Sequence, residues 1–273
     1  MSQDLHLSPL GKQSEYVCEY SPQLLHPIAR SENRAALGIG ELLPFRGVDI
    51  WNAYELSWLN LNGKPQVAVG RFSIPCDSTH IIESKSFKLY LNSFNQSRIG
   101  DQGTLQGVLE RDLSAAAGAP VGVAIQTHQQ VSEAGLELPL GDGIDDLDVS
   151  IDHYDTDAGL LQVADMVVNE RLYSRLLKSN CPVTGQPDWG TLMIAYRGKR
   201  LCRESLLKYI VSFRQHSDFH EHCVERIFMD IKAITKAESL EVVARYVRRG
   251  GLDINPCRSL GECSFGNGRL ANQ

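Results

Sequence analysis

The sequence contains no long apolar run, and no stretch approaches the roughly 20 consecutive residues that a membrane helix needs. Glycine (23) and proline (11) are too few among 273 residues for a collagen-like or low-complexity chain. Basic residues (27) are outnumbered by acidic ones (33), and the resulting net charge of −6 disfavours a broad nucleic-acid-binding surface. The start of the chain is polar and carries an early acid, which is typical of neither a signal nor a transit peptide. We therefore expect a globular, cytoplasmic protein without a nucleic-acid or membrane partner.

Several familiar motifs are also missing. The nearest approach to G-x-G-x-x-G is Gly38-Ile39-Gly40, which has Leu43 where the third glycine belongs, and there is neither a Walker loop nor H-E-x-x-H. A nucleotide cofactor would therefore bind outside the Rossmann and P-loop designs. The seven cysteines are odd in number and lack C-x-x-C spacing. They are expected to be reduced thiols, because a disulfide framework or a thiolate zinc site needs paired spacing.

Hydrophobic periodicity predicts an α+β fold. In the first half, alternation predicts strands at 48–59 and 66–74, joined by an Asn62-Gly63 turn, and a further strand from Pro120. Apolar spacing at i, i+3, i+4 and i+7 predicts helices at 84–97 and 104–117. The segment 136–146 lacks periodicity and is rich in Gly, Pro and acid, so we predict an N-terminal domain over 1–135, a linker, and a C-terminal domain over 147–273.

The second half repeats this organisation. The pattern predicts a short strand at 147–154, a brief helix at 169–177, and a strand at 191–196 that Gly198 ends. It then predicts helices at 203–215 and 219–234 and an extended segment at 239–248. Each half thus places two adjacent helices between strands, which indicates a tandem pair of α+β domains.

The segment 179–190 is the first candidate for chemistry. Two prolines and two glycines in these 12 residues predict an irregular loop. The loop carries Cys181 and Asp188, and a cysteine nucleophile needs a neighbouring base or a positive environment because little thiolate exists at neutral pH. Asp188 could protonate the group that the thiolate attacks. The alternative is a buried cysteine with Asp188 capping a turn.

A second candidate is the segment 216–223. Asp218 and Glu221 have the D-x-x-E spacing of a helix capping box. The histidines (His216, His220, His222) and Cys223 instead suggest zinc, although Ser217 and Asp218 interrupt the helical spacing that would align them. A third interpretation is that the His220-Glu221 pair binds the donor edge of a heterocycle.

Two basic segments could bind an anion. Ser84 is a candidate helix cap, with Lys85 and Lys88 in the turns that follow. Arginines at 245, 248 and 249 precede Gly250-Gly251 and could bind phosphate through two parallel hydrogen bonds. In both segments, solvated surface charge is the simpler interpretation.

Together, three of these segments resemble one family. Residues 83–90 (ESKSFKLY) fit all eight positions of the octapeptide E-(S/L)-K-(S/A)-h-K-(L/Y)-(Y/F/W) of the queuosine-pathway nitrile reductases. Residues 181–188 resemble the nucleophile loop of that family, and 219–221 its substrate-recognition motif. The order of the motifs is similar to that of the long, bimodular subgroup.

The resemblance implies tandem tunnelling-fold domains, each an antiparallel four-stranded sheet with two helices on one face. It implies reduction of 7-cyano-7-deazaguanine to 7-aminomethyl-7-deazaguanine by two NADPH, through a thioimide on Cys181. By resemblance, the catalytic residues are Cys181, Asp188 and His220. The substrate-binding residues implied are Ile82, Glu83, Ser84, Phe219, His220 and Glu221. The NADPH-binding residues implied are Ser84, Lys85, Arg249 and Gly250. No metal and a homodimer are expected.

Two alternatives remain open. One is a zinc-dependent hydrolase similar to GTP cyclohydrolase, which shares the tunnelling fold. The sequence disfavours it because Cys181 has no second thiolate nearby. The other is a purine-binding module without catalytic activity.

Overall fold

The computed structural model describes residues 16–273, so the polar start of the chain lies outside it. These residues form two compact units. Unit 1 comprises the described residues up to Gly38, Asp49–Gly135 and Arg248–Asp253, and unit 2 comprises Ile39–Val48, Leu136–Val247 and Ile254–Gln273. Within residues 16–273, every helix is too short or too polar to cross a bilayer.

Unit 1 is built on a long hairpin. Its elements are β1 (Pro27–Ala29), α1 (Ser31–Ala36), β2 (Arg46–Leu59), β3 (Pro65–Pro75), β4 (His80–Ile82), α2 (Ser84–Asn92), α3 (Gln102–Ala117), β5 (Gly122–Gln126) and α4 (His128–Ala134). In its sheet, β3 lies between β2 and β5, and β1 pairs separately with β4. The predicted turn is confirmed: Gly63 has a φ of +80°, and the Asn60 side chain accepts hydrogen bonds from the Asn62 and Lys64 amides.

The helices of unit 1 bury the apolar residues that the periodicity marked. Phe87, Tyr90 and Phe94 are fully buried, and Phe87 packs edge-on against Phe72 of β3 with ring centroids 5.0 Å apart. Fully buried aromatic rings of this kind contribute much of a core's stability. The first predicted helix ends at Asn92 rather than at residue 97. Beyond it the chain forms turns, in which the Ser93 hydroxyl donates to the Tyr90 carbonyl.

Unit 2 contains the antiparallel sheet predicted for the second half. Its elements are β6 (Leu136–Glu137), β7 (Asp142–Gly143), β8 (Val163–Asn180), β9 (Pro187–Leu201), α5 (Arg203–Ser212), α6 (His220–Thr235), β10 (Ser239–Tyr246), β11 (Leu252–Ser259) and β12 (Arg269–Leu270). The strands β11, β10, β9 and β8 are antiparallel neighbours in that order. Helix α5 packs against β8, and α6 packs against β9 and β10. The predicted α+β class is confirmed.

Four details of the second half differ from the predictions. Residues 169–177 belong to β8 and are not helical. The prediction failed because a register shift between Ser174 and Leu177 interrupts the two-residue alternation of the strand, so that its apolar spacing resembles that of a helix. The strand predicted at 191–196 extends over Pro187–Leu201. The segment 147–154 forms neither strand nor helix. Strand β11 was not predicted, because Pro256 and three charged or amide residues obscure its pattern.

Gly198 does not end its strand. It pairs with Val168 inside the β8–β9 ladder. A Cβ atom at Gly198 would lie 2.8 Å from the Thr235 carbonyl oxygen at the end of α6. Glycine is therefore required by the close approach of the helix and not by a turn.

The expectation that all cysteines are reduced thiols is wrong for one pair. Cys257 of β11 and Cys263 of the following loop form a disulfide. The other five cysteines form no disulfide. The sequence did not predict this disulfide because the two cysteines are six residues apart and match no recognised motif. The loop after β11 brings Cys263 back to Cys257.

Candidate active site

Cys181 lies at the tip of the β8–β9 hairpin. The Cys181 amide donates to the Gln186 carbonyl (2.9 Å), and the Gly185 amide donates to the Cys181 carbonyl (3.0 Å). These two bonds close a loop over residues 181–186, which is shorter than the predicted irregular segment 179–190. Pro187 begins β9, a position where a strand tolerates proline. The backbone of the cysteine is thus fixed on both sides, and its side chain is buried.

Asp188 lies inside β9, opposite Ser179, and not in a turn. Its side chain is buried, and its Oδ2 atom is 3.4 Å from Nε2 of His220. The sheet register brings this carboxyl to the same end of the hairpin as Cys181. A nucleophile candidate, an acid and an imidazole are therefore held by three adjoining parts of unit 2.

The start of α6 is built differently from the predicted capping box. Phe219 is the N-cap, the helix begins at His220, and no side chain caps it. Asp218 lies one residue earlier: its Oδ1 accepts from the Phe219 amide (2.8 Å) and contacts His222 Nδ1 (3.1 Å), and its Oδ2 is 3.6 Å from His216 Nε2. Burial raises the pKa of Asp218, but interactions with the nearby His216 and His222 side chains outweigh this and hold the pKa well below its usual range.

The segment 216–218 also binds the end of β8. The Asn180 amide donates to the His216 carbonyl (2.8 Å), and the Asp218 amide donates to the Asn180 carbonyl (3.2 Å). Asn180 directly precedes Cys181. The start of α6 and the nucleophile loop are therefore joined by main-chain hydrogen bonds, which no local sequence pattern predicts.

The possible zinc ligands do not converge. His216 and His222 both contact Asp218, whereas His220 contacts Asp188. Cys223 is fully buried, and desolvation raises its pKa. In the described part of the chain, the one cluster of three side chains with suitable ligand atoms is Glu241, Cys257 and Cys263, in which the two sulfurs are bonded to each other.

The octapeptide belongs to unit 1 and begins α2. Its cap is Glu83 and not Ser84, because Glu83 has extended backbone angles whereas Ser84 is already helical. The fully buried Glu83 carboxylate accepts from the amides of Lys85 (2.6 Å) and Ser86 (2.8 Å). A carboxylate has about four acceptor positions, so these two bonds leave capacity for a ligand donor. Ile82, which directly precedes Glu83 and is the last residue of β4, is also buried.

Unit 1 also contains a cavity of about 530 Å³. Its lining includes the Glu55 and Lys88 side chains, the amide side chains of Asn92 and Asn95, and the backbone of Gly250 and Gly251. Both glycines have positive φ (+56° and +75°), and a Cβ at Gly250 would lie 3.2 Å from Lys88 Cδ. A cation, amide groups and exposed glycine backbone suit a nucleotide, and the volume is within the range of small-molecule sites. The cavity fits the implied cofactor only in part, because Gly250 lines it whereas Ser84, Lys85 and Arg249 do not.

Family comparisons cover most of the chain. A model described as "Nitrile reductase, 7-cyano-7-deazaguanine-reductase N-term" matches residues 16–125. A model described as "QueF-like protein" matches residues 187–264. The chain belongs to the QueF family. The first match contains the octapeptide and the second contains Asp188, His220 and Arg249, whereas Cys181 lies between the two.

A solved structure that this QueF-family chain resembles is the apo form of the archaeosine synthase QueF-Like. The sequence identity is 18%, the match covers 37% of this chain and 99% of that one, and the TM-score is 0.31.

The predicted site residues of this QueF-family member fall into two sets. Unit 2 contains the residues proposed for catalysis and half of those proposed for the nucleobase: Cys181, Asp188, Phe219, His220 and Glu221. Unit 1 contains the others: Ile82, Glu83, Ser84, Lys85, Arg249 and Gly250. Sequence reasoning missed the role of Asp218. The histidines two residues before it and four residues after it were the signal that could have revealed it.

Proposed function

We propose that the protein reduces 7-cyano-7-deazaguanine to 7-aminomethyl-7-deazaguanine with two NADPH. Membership of the QueF family supports a queuosine-pathway nitrile reductase or a QueF-like function. The observation that carries the finer proposal is the arrangement in unit 2. There Cys181 is fixed at the tip of the β8–β9 hairpin, and Asp188, near the same end of β9, lies 3.4 Å from His220 at the start of α6.

The first step is covalent. A nitrile carbon accepts hydride poorly, so the Cys181 thiolate adds to it and forms a C–S bond. The electron pair displaced from the C≡N bond takes a proton from Asp188 and gives a thioimide, C(=NH)–S. His220 is placed to return a proton to the Asp188 carboxylate.

The thioimide carbon is a better hydride acceptor than the nitrile. Addition of hydride to this carbon, with a proton from the Asp188–His220 pair to the nitrogen, would give a tetrahedral carbon that bears NH₂ and S. Breakage of its C–S bond would release the Cys181 thiolate and leave a protonated imine, which a second hydride would convert to the amine. When bound, NADPH supplies both hydrides. Burial of the reacting residues excludes water, which would hydrolyse the imine to an aldehyde.

The proposed binding roles follow from chemistry and burial. Glu221 (2% exposed) and Glu83 (0%) are acceptor-only groups when ionised and suit the N–H and amino donors of the deazaguanine. Phe219 is proposed to stack on the ring, and Ile82 and Ser84 are proposed as further substrate-binding residues. We assign NADPH to Ser84, Lys85, Arg249 and Gly250, whose cationic side chains suit its phosphates.

The decisive experiment is intact-mass spectrometry of protein mixed with 7-cyano-7-deazaguanine and no cofactor. We expect an added mass equal to the whole nitrile, absent in Cys181→Ala and retained in Cys202→Ala, a matched change of a free thiol in unit 2. An adduct on Cys181→Ala would refute the assignment of the nucleophile.

A second assay follows NADPH absorbance. Two NADPH should be consumed per nitrile, and one per nitrile would contradict the two-step scheme. An adduct without NADPH consumption would instead support a QueF-like protein that does not reduce the nitrile.

We further propose a cytoplasmic homodimer that acts on a free nucleobase and not on nucleic acid. Light scattering should give twice the 30.3 kDa chain mass. A monomer with full reductase activity would contradict the dimer.

A further inference from the structure

We infer that Tyr246, the last residue of β10, is a positioning residue that holds His220 against Asp188. The inference rests on the proposed function, because it gives His220 a role in proton transfer. Nothing in the sequence motifs points to Tyr246, which lies between the predicted substrate-recognition motif and Arg249.

The primary observation is a ring stack. The His220 imidazole lies 3.8 Å from the Tyr246 ring, centroid to centroid, and the planes differ by 16°. Tyr246 is fully buried, and the His220 side chain is 11% exposed. One face of the imidazole is therefore covered while its edge faces the Asp188 carboxyl at 3.4 Å. A covered face prevents the ring from turning about its Cβ–Cγ bond.

Sheet register places the tyrosine beneath the histidine. Tyr246 of β10 lies opposite Gly190 of β9, and Asp188 is two residues before Gly190, on the same sheet face. A Cβ at Gly190 would lie only 3.2 Å from Tyr246 Cδ1, so the glycine leaves room for the ring. The Val247 amide donates to the Trp189 carbonyl (2.8 Å) and keeps the strands paired beyond the tyrosine.

The phenol end of the ring is enclosed as well. The side chains of Tyr246, Cys223 and Ser179 are all fully buried, and the Tyr246 hydroxyl makes no hydrogen bond within the described residues. Cys223 is three residues after His220 and shares its helix face. Ser179 lies opposite Asp188 on β8. Burial raises the pKa of both Tyr246 and Cys223, so both remain neutral and add no charge behind the acid.

The stacked ring sets the angle of the imidazole, and complete burial holds the Tyr246 ring itself in place. Tyr246 does not contact the reacting atoms in this scheme; it acts through His220, which returns the proton that Asp188 gives to the nitrile nitrogen. Misplacement of such a group by about 1 Å costs on the order of 100-fold in rate.

The test compares two substitutions. Tyr246→Phe keeps the stack, and we expect its kcat to stay within about threefold of wild type. Tyr246→Leu removes the stack, and we expect kcat and the rate of cofactor-free adduct formation to fall together by about 10- to 100-fold while KM for the nitrile changes by less than about threefold. Tyr209→Leu is the matched control: Tyr209 is also fully buried in unit 2, but its hydroxyl donates to Asp230 and its ring packs against Phe213, neither of which is a proposed site residue. It should lower the melting temperature and leave kcat per folded molecule unchanged.

A further variant covers the case in which Tyr246→Leu does not fold. Gly190→Ala keeps every site side chain and crowds the Tyr246 ring, so kcat should fall by about threefold to tenfold at constant KM. Wild-type kcat in folded Tyr246→Leu or in Gly190→Ala, or an equal loss in Tyr246→Phe and Tyr246→Leu, would overturn the inference. Failure of the proposed function is distinguishable, because wild type itself would then form no adduct.

Discussion

The Asp218 carboxylate offers the sharpest test of how the site is held together. It accepts from the Phe219 amide and lies against His222 and His216, at 2.8, 3.1 and 3.6 Å. Asp218→Asn keeps the shape and removes the negative charge. If the new amide nitrogen takes the position of Oδ1, its hydrogens face the Phe219 amide, which donates to Oδ1 in the wild type.

The expected loss follows from these contacts. A hydrogen bond to a charged group contributes about 1.5–3 kcal/mol. The His216 contact at 3.6 Å is too long for a full hydrogen bond. The Asp218 side chain is 18% exposed, so solvent screens the remaining contacts only weakly. We therefore expect Asp218→Asn to lower the free energy of unfolding at pH 7 by about 2 kcal/mol. For a chain of this size, that corresponds to a melting temperature lower by about 4–8 °C.

The pH dependence has a definite sign. The folded-state pKa of Asp218 lies below the unfolded value of about 3.9, so its stabilisation is complete above about pH 4. It is lost as the pH falls through the folded pKa. The difference in the free energy of unfolding between wild type and Asp218→Asn should therefore become smaller below about pH 4.

Urea unfolding at pH 7, 5 and 3.5 measures both effects. The control is Asp165→Asn, which makes the same change in a carboxylate that is 92% exposed and pairs with Lys199 at 2.6 Å. Its stability should be nearly unchanged, because exposed ion pairs contribute little. Equal stability of wild type and Asp218→Asn at pH 7, or a gap that stays constant down to pH 3.5, would refute the reasoning.

Three other substitutions give distinct outcomes. Arg258→Met leaves the fully buried Glu225 carboxylate without its 2.9 Å partner and should cost about 3–5 kcal/mol in urea unfolding, and a second change, Glu225→Leu, should recover most of it. Gly251→Ala puts a Cβ 2.6 Å from Glu55 Cδ at a φ of +75°, so it should cost at least about 1–2 kcal/mol and raise KM for NADPH more than KM for the nitrile. The Glu241 carboxylate accepts hydrogen bonds from the Ser264 amide, the Ser264 hydroxyl and the Phe265 amide, in the loop that carries Cys263. Glu241→Gln should weaken these bonds, so limited proteolysis of that loop should become faster while adduct formation is unaffected.

Local patterns predicted those elements whose burial follows a single period. Helix α2 buries Phe87, Tyr90 and Leu91, so periodicity alone identified it. Strand β8 was misread because its register shift interrupts alternation, and β11 because it buries Asp253 and Arg258 as well as apolar residues. Such polar residues are buried only with partners that lie far away in the sequence. A local sequence pattern cannot predict those partners.

The motifs identified the residues of the candidate site but not how they are supported. Cys181, Asp188 and His220 stood out by type and spacing. The roles of Asp218 and Tyr246 depend on which residues the start of α6 and the β9–β10 register bring together. A capping box was the reasonable prediction for Asp218. It was wrong because the helix starts one residue later and the carboxylate is used by two histidines and one amide.

The register of the β8–β9–β10 ladder is the physical property on which the site depends most. Asp188, Gly190 and Tyr246 share one face because their strands pair without a shift at this end of the sheet. A slip of one residue would turn Asp188 to the opposite face and separate it from His220. The bulge in β8 lies at Ser174–Leu177, before the end of the strand, so the pairing of Ser179 with Asp188 is regular again. The precision of the proposed proton transfer therefore comes from main-chain pairing. The loop over residues 181–186 has only to hold the thiol of Cys181 at the end of the paired strands.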